Sequence, residues 1–151
     1  YKPATLPDDL PAELTNRRAG AFVSLHKDGN LRGCIGTIMA TQDSLAEEIL
    51  QNAISACSRD PRFSPVTADE LDSLVYSVDI LDKPENIASP SELDPKIYGV
   101  IVSCGQRRGL LLPDLAGVDT VEEQISIARQ KGGIGQNEPI QLQRFRVVRH
   151  K

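Results

Sequence analysis

Polar and apolar residues alternate along several segments of the chain, which is typical of β-strands with one buried face. Two such segments, Ala21 to His26 and Leu31 to Ile38, flank the turn-forming sequence Lys27-Asp28-Gly29-Asn30. This arrangement predicts a β-hairpin near the start of the chain. Further strands are predicted at residues 74–81, 98–104, 110–112 and 142–148.

Two other segments have the spacing of an amphipathic helix. Within residues 43–58 an apolar residue recurs at every fourth position, and Pro61 prevents this helix from continuing. A second helix is expected within residues 119–132. Prolines interrupt residues 1–18 and 82–97, so we expect an extended lead-in and a long connection there. Together these elements predict an α+β fold, with a mainly antiparallel sheet and two main helices packed on it.

The composition is that of a globular protein. The chain has 151 residues, of which 40% are apolar and 25% charged, so we expect a single domain over residues 1–151. A formal charge of −4 and 4% aromatic residues make nucleic-acid binding the least favoured class of function. No apolar run approaches the roughly 20 residues of a membrane-spanning helix, and we expect no membrane association.

The cysteines indicate a reducing compartment. Cys34, Cys57 and Cys104 are too few for a disulfide scaffold and form no Cys-x-x-Cys pair. With only two histidines besides, the sequence contains no zinc signature. We therefore predict no metal site, no cofactor and a cytoplasmic location.

The segment Leu31-Arg32-Gly33-Cys34-Ile35-Gly36 gives the strongest indication of chemistry. Because residues two apart on a strand share a face, we predict Arg32 and Cys34 on one side of the sheet. Leu31 and Ile35 are then on the side that faces the core. Burial of an unpaired guanidinium costs several kcal/mol, which favours this assignment over the reverse one.

The register of the hairpin decides which side chains accompany Cys34. A loop with an odd number of residues keeps the apolar residues of both strands on one face, so we expect such a loop. It places Ser24 opposite Cys34, about 5 Å away across the strands. His26 then falls opposite Arg32, and a thiol, a hydroxyl, an imidazole and a guanidinium share one face. If His26 paired with Leu31 instead, this group would not form.

Two interpretations of the group are open. In the functional one, Cys34 is a nucleophile whose thiolate is favoured by Arg32. His26 is then its base, and Ser24 and Gly33 line the substrate site. In the structural one, Cys34 is a small buried residue and His26 is solvated at the end of the hairpin. Gly33 would then only let another part of the backbone come close.

Two more arginines lie in Arg59-Asp60-Pro61-Arg62-Phe63, directly after the first predicted helix. In the functional interpretation, Arg59 and Arg62 help to bind an anionic substrate. In the structural one, Arg59 interacts with the carbonyl end of the helix dipole. Arg62 then forms a pair with Asp60 that stabilises the turn.

These two motifs are followed by others in a recognisable order: Tyr98-Gly99-Val100, then Arg108-Gly109-Leu110-Leu111-Leu112-Pro113-Asp114, then Gly117-Val118-Asp119-Thr120. Together they resemble the AMMECR domain family over roughly Leu10 to Val148. The resemblance implies an α+β domain around an antiparallel sheet, with Cys34 as the family's cysteine. It also implies a helix ahead of the first strand, and we expect this chain to begin too late to include it.

The resemblance implies no firmly assigned reaction. It implies a link, in prokaryotes, with Memo-like proteins, which resemble extradiol dioxygenases, and with radical-SAM enzymes. We therefore expect an accessory or binding module that works with such partners. The alternative is an enzyme that uses Cys34 beside Arg32 on a small acidic molecule, so both an enzyme and a binding protein are open.

Overall fold

The computed structural model describes residues 6–150. Helices and antiparallel strands occur together, so the predicted α+β class is confirmed. Contacts divide the chain into two compact units: unit 1 comprises the described residues up to Leu81 and again from Val148, and unit 2 comprises Asp82–Val147. Each unit has its own four-stranded sheet and one main helix, whereas we expected one sheet with both helices on it.

The elements of the described residues are as follows, in chain order. The α-helices are α1 (Ala12–Thr15), α2 (Leu45–Ser58) and α3 (Val121–Lys131), and short 3-10 helices span Ala68–Ser73 and Pro90–Glu92. The strands are β1 (Ala21–Lys27), β2 (Asn30–Gly36), β3 (Leu74–Leu81), β4 (Glu85–Ile87), β5 (Gly99–Cys104), β6 (Arg107–Leu111), β7 (Gln141–Phe145) and β8 (Val147–His150). The sheet of unit 1 has the strand order β2-β1-β3-β8, and that of unit 2 has the order β4-β7-β5-β6.

The core of unit 1 lies between its sheet and α2. The helix begins after Ser44, whose hydroxyl accepts the amide N–H of Glu47, and this cap satisfies a backbone donor that the helix itself cannot use. Further along the helix, Ala56 packs in one buried cluster with Val23 and Leu25 of β1. Each fully buried Val or Leu side chain contributes about 1.5–3 kcal/mol, so this contact holds α2 on the hairpin.

Unit 2 is built in the same way around α3. Thr120 caps the helix by accepting the amide N–H of Glu123. Ala128 on the helix packs in one buried cluster with Val100 and Val102 of β5. The helix therefore packs across the inner strand β5 and the edge strand β6, where Gly109 lies against the backbone of Ala128.

Two irregular segments contain short elements that the sequence did not predict. The described part of the lead-in includes the one-turn helix α1, and residues 1–5 lie outside the described residues. The connection at 82–97 contains β4 and a 3-10 helix. These helices and this strand are too short to show a periodic pattern, which needs several turns or alternations to be visible.

The last predicted strand, residues 142–148, is two strands in the structure. β7 ends at Phe145 in the sheet of unit 2, and β8 begins at Val147 in the sheet of unit 1. Between them the carbonyl of Arg146 accepts the amide N–H of Asp82. Burial alternates along β8 but not along β7, and neither pattern shows the change of sheet.

Candidate functional site

The β1–β2 hairpin contains a β-bulge. Residues 28–29 form its two-residue turn, with positive φ angles of 53° and 81°. His26 pairs with Leu31, and the register shifts at the next pair, so that Arg32 is an extra residue in β2. A two-residue turn with one inserted residue restores the same alignment of apolar positions as the odd loop that we expected.

The bulge confirms one predicted pairing and contradicts another. Ser24 pairs with Cys34, as predicted. His26 does not pair with Arg32, and its partner is Leu31. The imidazole is therefore not part of the predicted group around the thiol, because the inserted residue changes the alternation at that end of the strand.

The bulge also changes the surroundings of Leu31 and Arg32. Leu31 shares a face with its partner His26 and is 40% exposed, so its predicted place in the core is wrong. Arg32 reaches the carboxylate of Glu70, with Nε 3.0 Å and Nη2 3.1 Å from its two oxygens. These two hydrogen bonds hold the pKa of Glu70 well below its usual range. The charge of the Arg32 guanidinium is therefore neutralised by Glu70 and not by the Cys34 thiol.

The loop after α2 binds both backbone groups of Cys34, its amide N–H and its carbonyl. The amide N–H of Cys34 donates to Oδ2 of Asp60 at 3.0 Å, and Nη2 of Arg62 donates to the Cys34 carbonyl at 3.2 Å. Arg62 also donates to Asp60, from Nε at 3.0 Å and from Nη2 at 2.7 Å. We call Asp60 and Arg62 the edge clamp, because β2 is an edge strand of its sheet.

The two residues of the edge clamp carry opposite charges that neutralise each other. The side chain of Asp60 is 2% exposed and that of Arg62 is 52% exposed. The hydrogen bonds from Arg62 outweigh the cost of burial and hold the pKa of Asp60 well below its usual range. Arg62 thus forms the pair with Asp60 that the structural interpretation predicts, and the pair additionally holds the neighbouring strand.

The thiol of Cys34 is half-buried next to a hydroxyl group. The Oγ of Ser24 donates to its Sγ at 3.4 Å, and Ser24 itself is 8% exposed. Gly33 lies directly under α2, where a Cβ atom would overlap the carbonyl oxygen of Ala56. The glycine therefore lets the helix approach the strand, which is the structural role that the sequence left open for it.

Arg59 lies apart from these contacts. It is the exposed C-terminal cap residue of α2, where a positive charge interacts favourably with the helix dipole. Of the predicted site residues, the structure thus brings together Ser24, Cys34 and Arg62. Gly33 is adjacent to Cys34 in the strand but has no side chain to contribute. His26 pairs with Leu31, and Arg32 is bonded to Glu70.

Two residues of the site were not predicted as such. In the sequence, Asp60 is expected only as the partner of Arg62 in a turn, and no pattern marks Glu70 as a site residue. Asp60 accepts hydrogen bonds from Arg62 and from two backbone amides, and Glu70 accepts them from Arg32 and from one backbone amide. The available indication was the number of arginines near Cys34, because a guanidinium on a half-buried surface needs a carboxylate partner.

Two classes of feature are not found in the part of the chain that the structure describes. Within residues 6–150, no three His, Cys, Asp or Glu side chains are grouped so that they could hold a metal ion. No helix in the same range is long and apolar enough to cross a membrane.

A family model described as AMMECR1 matches residues 2–150. The chain belongs to the AMMECR1 family. The resemblance seen in the ordered motifs is thereby confirmed, and the match includes both units.

Relatives of this AMMECR1-family chain occur in bacteria and archaea. A Thermotoga maritima protein is 60% identical over 148 residues, which cover 96% of this chain and 85% of the relative. A Clostridium acetobutylicum protein is 53% identical over 146 residues, which cover 97% of this chain but only 31% of the relative. A Methanothermobacter thermautotrophicus protein is 44% identical over 117 residues, covering 74% of this chain and 60% of the relative.

A solved structure has the same fold. The crystal structure of an uncharacterised protein from Pyrococcus horikoshii matches with a TM-score of 0.89 and 32% sequence identity, covering 98% of this chain and 80% of that protein. The similarity covers nearly the whole of this AMMECR1-family chain, and it supports the architecture described above.

Proposed function

We propose that this chain is an accessory binding module, which works with Memo-like and radical-SAM proteins and docks on them through the surface around Cys34. The observation that carries the proposal is the edge clamp. An exposed edge strand offers its backbone to any other strand, but here Asp60 and Arg62 occupy both backbone groups of Cys34. At this position a partner is recognised through side chains, which favours a specific complex over general strand pairing.

The charges around Cys34 also support binding over covalent catalysis. A nucleophilic thiol needs an adjacent base or a positive charge that is not already neutralised. Arg32 is bonded to Glu70, and Arg62 is bonded to Asp60. The side chain that is hydrogen-bonded to the thiol is a neutral hydroxyl, and both arginines already have carboxylate partners.

The longer relative supports a modular role. This chain spans 31% of the Clostridium acetobutylicum protein, so the AMMECR1 segment occurs there beside other parts of one polypeptide. A module that works with its neighbours in one chain is suited to work with separate proteins in another organism. The three cysteines are free, which fits the cytoplasmic location that we include in the proposal.

The test combines a binding measurement with cysteine labelling. The purified chain is mixed with a Memo-like protein and, separately, with a radical-SAM protein from the same genome, and complexes are measured by sedimentation velocity. Iodoacetamide labelling is then read residue by residue by mass spectrometry. We expect a complex in which Cys34 is labelled severalfold more slowly, while the half-buried Cys104 of unit 2 is labelled as before. Cys104 is thus the internal control.

Two results would overturn the docking proposal. One is the lack of a complex with either protein, and the other is a complex that leaves the labelling of Cys34 unchanged. The variant Cys34→Ser keeps the size of the side chain and should retain the complex. Loss of the complex in this variant with normal folding would mean that the thiol itself takes part.

The enzyme alternative rests on one contact, the Ser24 hydroxyl at 3.4 Å from the Cys34 sulfur. An enzyme that attacks a small acidic molecule with this thiol requires an unusually reactive sulfur. We expect Cys34 of the free protein to react with iodoacetamide no faster than N-acetylcysteine at neutral pH. A markedly faster reaction would favour the enzyme over the accessory module.

A further inference from the structure

A polar cleft of about 540 Å³ lies on the sheet of unit 2. It is lined by side chains of all four strands of that sheet and by the turn between β5 and β6. We call it the amide cleft and define it by Asn86, Ser103, Arg108, Gln141 and Gln143; Gly105, Gln106 and Arg107 complete its lining. No aspartate or glutamate is among its lining residues in the described part of the chain, although the whole chain has a net charge of −4.

The strand register brings these five side chains into one continuous surface. Gln141 pairs with Ser103, and Ser103 pairs with Arg108. Asn86 pairs with Gln143 in the neighbouring row. Cross-strand partners lie on the same face about 5 Å apart, so the carboxamides, the hydroxyl and the guanidinium are all presented together.

The carboxamides of the cleft have unused hydrogen-bonding capacity. Each carboxamide carries two N–H donors and an oxygen acceptor. Among residues 6–150, no group is hydrogen-bonded to the side chains of Asn86, Gln141 or Gln143, whereas the buried carboxamide of Asn52 in unit 1 donates to a carbonyl at 2.8 Å. The cleft can therefore bind a ligand without breaking hydrogen bonds within the protein.

Two adjacent arginines of this region differ in their partners. Arg107 donates to Glu138 at 2.9 Å, and its hydrogen bonds lower the pKa of that carboxyl group to about 2. Arg108 has no carboxylate partner within residues 6–150. Its backbone is nevertheless held in place, because Gly109 lies so close to α3 that a Cβ atom would overlap the carbonyl oxygen of Ala128.

We propose that the amide cleft binds a small oxyanion-bearing metabolite, with Arg108 on the oxyanion and the three carboxamides on the polar groups beside it. A guanidinium without a counter-charge binds a carboxylate or a phosphate through two parallel hydrogen bonds. The carboxamides match a neighbouring hydroxyl or amide group, since each can donate and accept. This site belongs to unit 2 and does not depend on the docking surface proposed in unit 1.

The test follows the side-chain amide signals of ¹⁵N-labelled protein by NMR during titration with three probes. Glycerol 3-phosphate carries a phosphate, malate carries carboxylates, and glycerol has hydroxyl groups without charge. We expect saturable shifts of the Asn86, Gln141 and Gln143 signals with at least one anion, with a dissociation constant of about 1 mM or lower, and no shift with glycerol. A response to one anion alone identifies phosphate or carboxylate as the preferred group.

A matched pair of variants separates specific binding from the general effect of charge. Arg108→Gln should weaken binding by about tenfold or more, whereas Arg146→Gln, an exposed arginine of the same unit outside the cleft, should leave it unchanged. The proposal is overturned if neither anion shifts the three signals at about 20 mM, a concentration well above the expected dissociation constant. It is equally overturned if both variants bind as the unchanged protein does.

Discussion

At the scale of single residues, Glu48 shows how a buried carboxylate fixes a loop. It is 1% exposed and accepts hydrogen bonds from the hydroxyl of Thr37 at 2.8 Å, from the amide and hydroxyl of Thr41 at 2.7 and 2.6 Å, and from the amide of Gln42 at 3.0 Å. Burial opposes its ionisation, but these bonds outweigh that effect, and the pKa of Glu48 lies below its ordinary value.

Replacement of this carboxylate by an amide is therefore expected to be costly. In Glu48→Gln one acceptor oxygen becomes an NH₂ group that faces other donors, and we expect the free energy of unfolding to fall by about 2–4 kcal/mol. Urea unfolding at pH 7 measures the change. Glu47→Gln, the same substitution one residue earlier, is the control and should change stability by about 0.5 kcal/mol or less. Equal effects of the two substitutions would contradict this account.

Single residues also show where sequence reasoning succeeded and where it did not. The pairing of Ser24 with Cys34 was predictable, because the apolar residues of both strands must share the buried face. The position of Arg32 was not, since a bulge inserts one residue without disturbing the pattern beyond it. The burial of Glu48 was not predictable either, because its hydrogen-bond partners lie in a loop whose conformation cannot be predicted from local periodicity.

At the scale of elements, the edge clamp replaces a missing neighbour of β2. A further strand would offer an acceptor to the amide N–H of Cys34 and a donor to its carbonyl. Asp60 supplies the first and Arg62 the second. The loop after α2 therefore closes the sheet edge at the point where the candidate site lies.

The edge clamp should make stability depend on pH in a defined direction. The pKa of Asp60 is lower in the folded protein than in the unfolded chain, so its contribution is present above about pH 4 and is lost as the pH falls further. Asp60→Asn should lower the free energy of unfolding by about 1–3 kcal/mol at pH 7. The difference between the two proteins should shrink when urea unfolding is repeated at pH 3 and below. A difference that stays constant over this range would show that the charge of Asp60 is not responsible.

The seating of α2 on β2 depends on Gly33. A methyl group at this position would overlap the carbonyl oxygen of Ala56, so Gly33→Ala forces the helix away from the strand. We expect a loss of about 2 kcal/mol or more in the free energy of unfolding, measured by thermal or urea unfolding. Asn30→Ala, at an exposed position of the same strand, should cost about 0.5 kcal/mol or less. A small effect of both substitutions would mean that the helix can shift without penalty.

At the scale of the whole molecule, the chain leaves unit 1 after β3 and returns to it only in β8. The predicted elements before Leu81 are local in sequence, and the hairpin, α2 and β3 were all predictable from turn residues and periodicity. The prediction of extended structure at 142–148 was correct. It did not include the change from one sheet to the other, because β7 and β8 belong to different sheets. Pairing between distant segments depends on partners that a local pattern does not contain.

Because of this topology, Arg149 on β8 neutralises a buried carboxylate that lies 70 positions earlier in the sequence. The carboxylate of Asp79 on β3 is 3% exposed, and Arg149 on β8 donates to it from Nε at 2.7 Å and from Nη2 at 3.3 Å. Removal of one member of such a pair leaves an uncompensated buried charge, which costs more than the pair itself contributes. Arg149→Ala should therefore lower the free energy of unfolding by about 2–4 kcal/mol and speed the hydrogen exchange of β3 and β1 amides.

The origin of this cost can be separated from the loss of packing by a second substitution. If the penalty comes from the unpaired carboxylate, Asp79→Asn introduced together with Arg149→Ala should recover a large part of the lost stability, because the amide carries no charge to leave unpaired. Arg146→Ala, an exposed arginine three residues earlier, provides the comparison for the loss of one positive charge and should leave the exchange of β3 unchanged. A double variant no more stable than Arg149→Ala alone would show that β8 is held by contacts other than this ion pair.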